Sequence, residues 1–284
     1  MLDRLLPLLL RSAAIVSAGL LLFIIGFIGA SAWPALHDPG PTAFLGDAHW
    51  NHVDERFGIW QLLLTSLVIA AGALLVAAPT GVCLALWSHW YAPGWLGTLM
   101  RNLVDFAAGI PSVIIALWGM LVLVPAFAAL SPTGQGQGPL AGMLLLALVI
   151  VPIATVAADQ AIAAVPAQVV AGAHALGLSR SAICWGVVVP AARHGLAVGT
   201  ILQASRAIGE TMVVLMVSGN LVAWPTEPFR SVRALTAHIA LEMGEAQGSH
   251  QASLFAAGLL LLLVVLALVL LSEWLLARRQ HASG

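Results

Sequence analysis

Long apolar windows separated by short polar loops dominate this chain. Six of them, near residues 12–33, 60–87, 106–130, 139–158, 197–221 and 252–276, are long and apolar enough to be membrane spans. A helix of about 20 residues crosses the roughly 30 Å hydrocarbon core of a bilayer. The pattern predicts an all-α polytopic membrane protein with six transmembrane helices, forming one transmembrane domain over residues 1–284. In the first window, Arg4, Arg11, an apolar run and Ala30-Ser31-Ala32 have the outline of a secretory signal. The stretch from Ala13 to Ala30 exceeds the usual signal core of about 7–15 residues, so it is expected to stay as an anchor.

Interruptions inside the windows refine this picture. Pro79 and Gly81 predict a bend in the second span, because proline removes a helical donor and crowds the preceding turn. Ala108-Gly109-Ile110-Pro111-Ser112 predicts a break or kink at the start of the third span. Its freed backbone groups need protein or a water-lined cavity around them. A bent helix packed on its neighbours is the plainer alternative. Ser131 to Pro139 is an uncharged turn between antiparallel spans.

Composition supports the membrane assignment: 61% of the 284 residues are hydrophobic and 8% are charged, against roughly 25% charged in soluble proteins. The net charge of −1 offers nothing to nucleic acid, and every base is arginine. With six spans, Arg4, Arg11, Arg101, Arg180, Arg193, Arg278 and Arg279 share one side. Arg56, Arg230 and Arg233 lie on the other, among most of the acids. The positive-inside rule then places both termini in the cytoplasm. His37, His49 and His52 are irregularly spaced and read as solvated loop residues. Cys83 and Cys184 fall in a span and in a cytoplasmic loop, too far apart in topology for a disulfide, and no metal-ligand spacing is present. No cofactor is expected.

The chemistry concentrates in the fifth window. Gln203, Arg206 and Glu210 follow i, i+3, i+7 spacing, so a continuous helix would put them on one face. Each charge costs about 2.5–3.5 kcal/mol at the centre of a bilayer helix. Arginine preceding glutamate is the weaker order for an i, i+4 pair, so mutual stabilisation is a poor reason to keep them. A structural ion pair is one reading. The other is a polar station on a translocation path, where the guanidinium fork meets an oxyanion and Glu210 offsets its charge. Ser112 and Thr211 are further candidates for that path.

Residues 159–196 form the longest predicted cytoplasmic segment. Pro166 to Gly177 reads as a short helix with proline in its first turn and glycine as its stop. A second amphipathic helix runs from Leu178-Ser179-Arg180-Ser181 and closes near Pro190. Two short helices joined at a glycine make a knob suited to docking, with Ala173, Leu176, Gly177, Leu178, Ser179 and Arg180 as candidate contacts. Ser231 to Met243 is a helix lying outside the membrane or partly re-entering it. No P-loop is present, so the chain is not expected to hydrolyse ATP itself. A membrane enzyme built on Glu210 would need a nucleophile, a metal or a second carboxylate, and none accompanies it.

Several stretches resemble a known family. Ala108-Gly-Ile-Pro-Ser-Val-Ile-Ile-Ala-Leu-Trp-Gly119 is similar to the third-span signature of phosphate ABC transporter permeases. Ser205-Arg-Ala-Ile-Gly-Glu-Thr-Met212 followed by Gly219-Asn220 is similar to their fifth-span motif. Gly177 and Pro190 keep the spacing of the cytoplasmic motif of binding-protein-dependent permeases, and His238 to Glu245 favours the C-type subunit. The resemblance covers about residues 42–277. It implies the type I ABC importer permease fold, a second homologous permease subunit, two cytoplasmic ATPase subunits and a periplasmic phosphate-binding protein. It further implies that residues 166–180 couple to the ATPase and that Arg206 and Glu210 line the path. One departure stands out: the usual Glu-Ala-Ala is replaced by Val170-Ala171-Gly172-Ala173. With it come two alternatives, a permease-like regulatory subunit and an importer of another oxyanion.

Overall fold

The protein, as a computed structural model, is described over residues 2–38, 40–47, 49–51 and 54–282; Pro39 and His52 lie outside the described residues. The helices are α1 (Leu2–His37), α2 (Pro41–Gly46), α3 (Trp60–Leu86), α4 (Gly94–Ala108), α5 (Ser112–Trp118), α6 (Val124–Leu130), α7 (Pro139–Ala163), α8 (Ala167–Ala175), α9 (Arg180–Ile183), α10 (Val189–Gly209), α11 (Met212–Val217), α12 (Leu235–Glu242) and α13 (Gly248–Ala282). Two short strands, β1 (Trp50–Asn51) and β2 (Arg56–Phe57), pair antiparallel. Among the described residues, six helical stretches are long and apolar enough to cross a membrane: Leu9–His37, Trp60–Tyr91, Ser112–Leu130, Pro139–Ala163, Arg180–Gly209 and Gly248–Leu276.

The chain forms two compact units, residues 1–60 with 239–263 and residues 61–238 with 264–284. In the first, α1 carries Ile15, Leu22 and Phe23 exposed, as suits a helix meeting lipid, and Phe27 packs edge-on against Phe255 at 5.8 Å. The strand hairpin is held from both ends. Arg56 donates two hydrogen bonds to Asp47 at 2.8 and 3.0 Å. The His49 amide and then the Arg56 guanidinium hold the Asp47 carboxyl below its usual range. Trp50 Nε1 donates to Glu242 at 3.0 Å, and the His250 ring stacks on Phe57 at 5.9 Å. His49, expected as a solvated loop residue, is exposed.

The second unit is organised by α7, against which α10 packs. Small residues let these helices approach closely. A Cβ on Gly195 would lie 2.9 Å from the Ala161 Cβ, and one on Gly199 would lie 3.3 Å from that of Ala157. One turn earlier on α7, Gly81 of α3 crosses at Ala154, where a Cβ would stand 2.9 Å from its backbone. Large buried side chains, among them Ile69, Leu145, Leu146 and Ile150, fill the interior.

Three sequence expectations change. Between the second and third apolar windows, where the pattern predicts only a connecting loop, lies the 15-residue helix α4. Leu96, Met100, Val104, Ala107 and Ala108 are its half-buried positions, a helical period hidden between two stronger apolar windows. The second amphipathic helix of the knob does not close near Pro190. It continues through a π-turn, Cys184–Val188, into α10. The widened turn absorbs the missing proline donor, so only residues 164–179 lie between the fourth and fifth spanning helices. Finally, the window 197–221 is not one helix: α10 stops at Gly209 and α11 starts at Met212. Cys83 and Cys184 are both free thiols.

Candidate translocation site

Two broken spans meet in the second unit. The first breaks at Gly109–Pro111, where α4 ends and α5 begins at Ser112. The second breaks at Glu210, whose backbone is extended at φ −71°, ψ 124°. The breaks are joined directly: Ser112 Oγ donates to Glu210 Oε1 at 3.1 Å. Glu210 therefore lies beside the first residue of the stretch Ser112–Leu130, where unpaired amides favour an acceptor and the helix dipole favours negative charge.

Interrupting a helix inside a membrane frees backbone groups that must find partners. The Glu210 carbonyl accepts from Thr236 Oγ1 at 3.1 Å, and Thr236 is buried on α12. The start of α12 is fixed in turn by Ser66, whose Oγ accepts from the Leu235 amide at 2.8 Å. The segment after the fifth span thus re-enters the bundle as far as the break, with Val232, Leu235 and His238 fully buried. Gly219 and Asn220 direct that return. Gly219 has φ +91°, and a Cβ there would lie 1.8 Å from Ser231 Oγ, so only glycine fits. Asn220, at φ 61°, caps α11 by donating from Nδ2 to the Leu215 carbonyl at 2.8 Å. Neither Ser66 nor Thr236 is singled out by the sequence, because buried hydroxyls in spans usually serve neighbouring helices.

The break rearranges the predicted path residues. Arg206 lies in the last turn of α10 with its side chain exposed, where the helix dipole favours a cation. Glu210 has left the helix, so the single-face arrangement of Gln203, Arg206 and Glu210 is lost. No hydrogen bond or ion pair joins Arg206 to Glu210 among the described residues. Thr211 is half-buried, and its hydroxyl turns back to the Gly209 carbonyl at 3.4 Å. Gln203 is only 6% exposed, and its Oε1 finds no hydrogen-bond partner among the described residues. It faces Thr200, Gly199 and Ala157 rather than the break. The site assembled by the structure is therefore Ser112, Glu210 and Thr236, with Arg206 beside it.

The knob residues form a separate group. Leu176 is 81% exposed at the tip. Gly177 turns the chain at φ +73° with open space around it. Ser179 caps α9 by accepting from the Ala182 amide at 3.3 Å, and Leu178 and Arg180 are exposed. Ala173 points the other way, into an apolar cluster with Ile183, Cys184 and Val188. It fastens α8 to the bundle rather than presenting a surface.

Residues 77–281 match the family described as the binding-protein-dependent transport system inner membrane component. The chain belongs to this family. Similar proteins include the probable ABC transporter permease protein YqgH of Bacillus subtilis, 34% identical over 244 residues, spanning 84% of this chain and 79% of the relative. The phosphate transport system permease protein PstC of Xylella fastidiosa is 29% identical over 262 residues, spanning 86% and 81%. Among solved structures, the inward-facing MetNI methionine ABC transporter aligns with a TM-score of 0.59 at 18% identity over 78% of this chain and 94% of that one. An alginate-importing bacterial ABC transporter aligns at 0.61 and 17% over 95% and 96%. The architecture is that of type I ABC importer permeases, and this family member is a multi-pass inner-membrane transport component.

Proposed function

We propose that the chain is the C-type permease subunit of an ATP-driven importer that moves inorganic phosphate across the inner membrane. The phosphate permeases among its relatives support the substrate. The observation that carries the reading is the exposed guanidinium of Arg206 beside a broken span, with no ion-pair partner among the described residues. Its nearest acid in sequence is engaged by Ser112 instead. Facing lipid, that charge would cost about 2.5–3.5 kcal/mol. Facing a wet seam shared with a second, homologous permease subunit, it offers an oxyanion a planar two-point contact. Ser112, Thr211 and Gln203 add hydroxyl and amide groups near the same spans.

The remaining parts follow from this assignment. Two cytoplasmic ATPase subunits drive the permease pair and carry out hydrolysis, and this chain docks onto the ATPase through Leu176, Gly177, Leu178, Ser179 and Arg180 of the α8 knob. A periplasmic phosphate-binding protein delivers substrate. Both termini lie in the cytoplasm, the side to which the arginines outside the spans are biased along the sequence.

Arg206→Ala is expected to abolish uptake of labelled phosphate while the ATPase still co-purifies with the permease pair. Wild-type uptake by that variant refutes the path role. A regulatory subunit with a closed path is the second reading, favoured by the absence of acid from the first turn of α8. It requires that the wild-type complex import no phosphate.

A further inference from the structure

At the end of the second span the helix widens into a π-turn, Trp87–Tyr91, closed by the Ala92 amide donating to the Trp87 carbonyl at 2.9 Å. Such turns recur at functional points in helices. This one sends two consecutive side chains to two different elements. His89 Nδ1 lies 3.0 Å from Asp159 Oδ1 near the end of α7; a carboxylate only accepts, so that nitrogen donates. The Trp90 ring stacks over His174 on α8, with centroids 6.5 Å apart and planes at 27°. Beneath the stack runs a groove lined by Ile162, Val165, Val170 and Val188.

Apart from the stack, α8 is attached by apolar contact alone. Ala173 is buried in the apolar cluster below it and Val170 packs against the same cluster, and no side-chain hydrogen bond ties α8 to another element among the described residues. Trp90 Nε1 is buried without an acceptor among the described residues. Tryptophan at a buried position normally finds one, so Trp90 is held here by its ring face rather than its N–H.

We propose that Trp90 and His174 are positioning residues that carry displacement of α8 to the second span, with the His89–Asp159 pair anchoring the π-turn to the fourth. This rests on the reading of α8 as the ATPase-docking element. A methyl contact such as Ala173 constrains distance but little else, whereas a stacked ring pair fixes orientation as well. Rotation of α8 is therefore transmitted to the turn at the end of α3 instead of being lost in the groove.

The test uses the complete transporter in liposomes with inorganic phosphate, measuring ATP hydrolysed per phosphate imported together with ATPase retained on purification. His174→Ala, at an exposed position that leaves the core intact, is expected to retain the ATPase and raise that ratio roughly two- to tenfold, the range an aromatic pair commands. Trp90→Ala is expected to do the same, while Trp90→Phe and His174→Phe, which keep a ring, restore the wild-type ratio. An unchanged ratio in both alanine variants overturns the proposal. So does loss of the ATPase from the complex, which would make the stack a support for the docking surface only. Leu176→Asp separates the two levels: an ATPase still bound in that variant sinks the docking assignment, whatever the stack does.

Discussion

The two breaks that meet at Ser112 and Glu210 are made in opposite ways. The one at Gly109–Pro111 is local: Pro111 has no donor to lose, Gly109 sits at an ordinary φ of −84°, and α5 simply starts again after it. The one at Glu210 has no proline and is held open from outside. Ser112, 98 residues away in sequence, takes the carboxylate, and Thr236, 26 residues away, takes the carbonyl. Meanwhile Pro79 and Pro152 lie inside continuous helices, and Pro190 follows a π-turn without stopping its helix. Whether a span breaks is decided by where its freed polar groups find partners, more than by the residue best known for breaking helices.

That contrast is open to attack. The largest effect is expected at Glu210. Glu210→Ala removes a charge-assisted hydrogen bond worth about 1.5–3 kcal/mol and should lower phosphate uptake about tenfold or more, while Glu210→Gln, which still accepts from Ser112, keeps most of it. Equal losses in the two variants would show that the charge, not the bond across the breaks, is what this position supplies. Next comes Thr236→Val, which leaves the half-buried Glu210 carbonyl without its partner at up to about 1–3 kcal/mol. The detergent-solubilised complex should melt earlier, and an unchanged melting temperature would remove Thr236 from the site. Smallest is Gly109→Ala. A Cβ there meets nothing nearer than 3.4 Å and the torsions suit any residue, so the variant should be unchanged or gain up to about 1 kcal/mol from a stiffer unfolded chain. A clear loss of stability or uptake would mean that the first break is not self-made.

The same contrast explains what the sequence revealed. Six spans and the third-span break were legible because they are encoded where they occur, in apolar runs and in Gly109 and Pro111. The knob at α8 was partly legible, since Pro166 and Gly177 mark its ends. The fifth-span break was not, for its only local cue is Gly209, one glycine among 27. Ser112 was legible beside its proline, whereas the long-range hydroxyls of Ser66 and Thr236 carry no pattern of their own. Spacing put Gln203, Arg206 and Glu210 on one face because it assumed a helix that stops at Gly209. Family resemblance singled out Arg206 and Glu210, but not the partner that Glu210 takes.

The seam between α7 and α10 has a mechanical consequence. Helix pairs keep their register because side-chain ridges drop into grooves, and here the ridges sit toward one end, where Ile162 of α7 shares an apolar cluster with Val189 and Leu196 of α10. Further along, Gly195 and Gly199 face Ala161 and Ala157 with no room for a Cβ to spare, so the backbones themselves set the spacing. Arg206 lies beyond that close approach on the same helix, and a bulky side chain at either glycine would push α10, and the guanidinium it carries, away from α7.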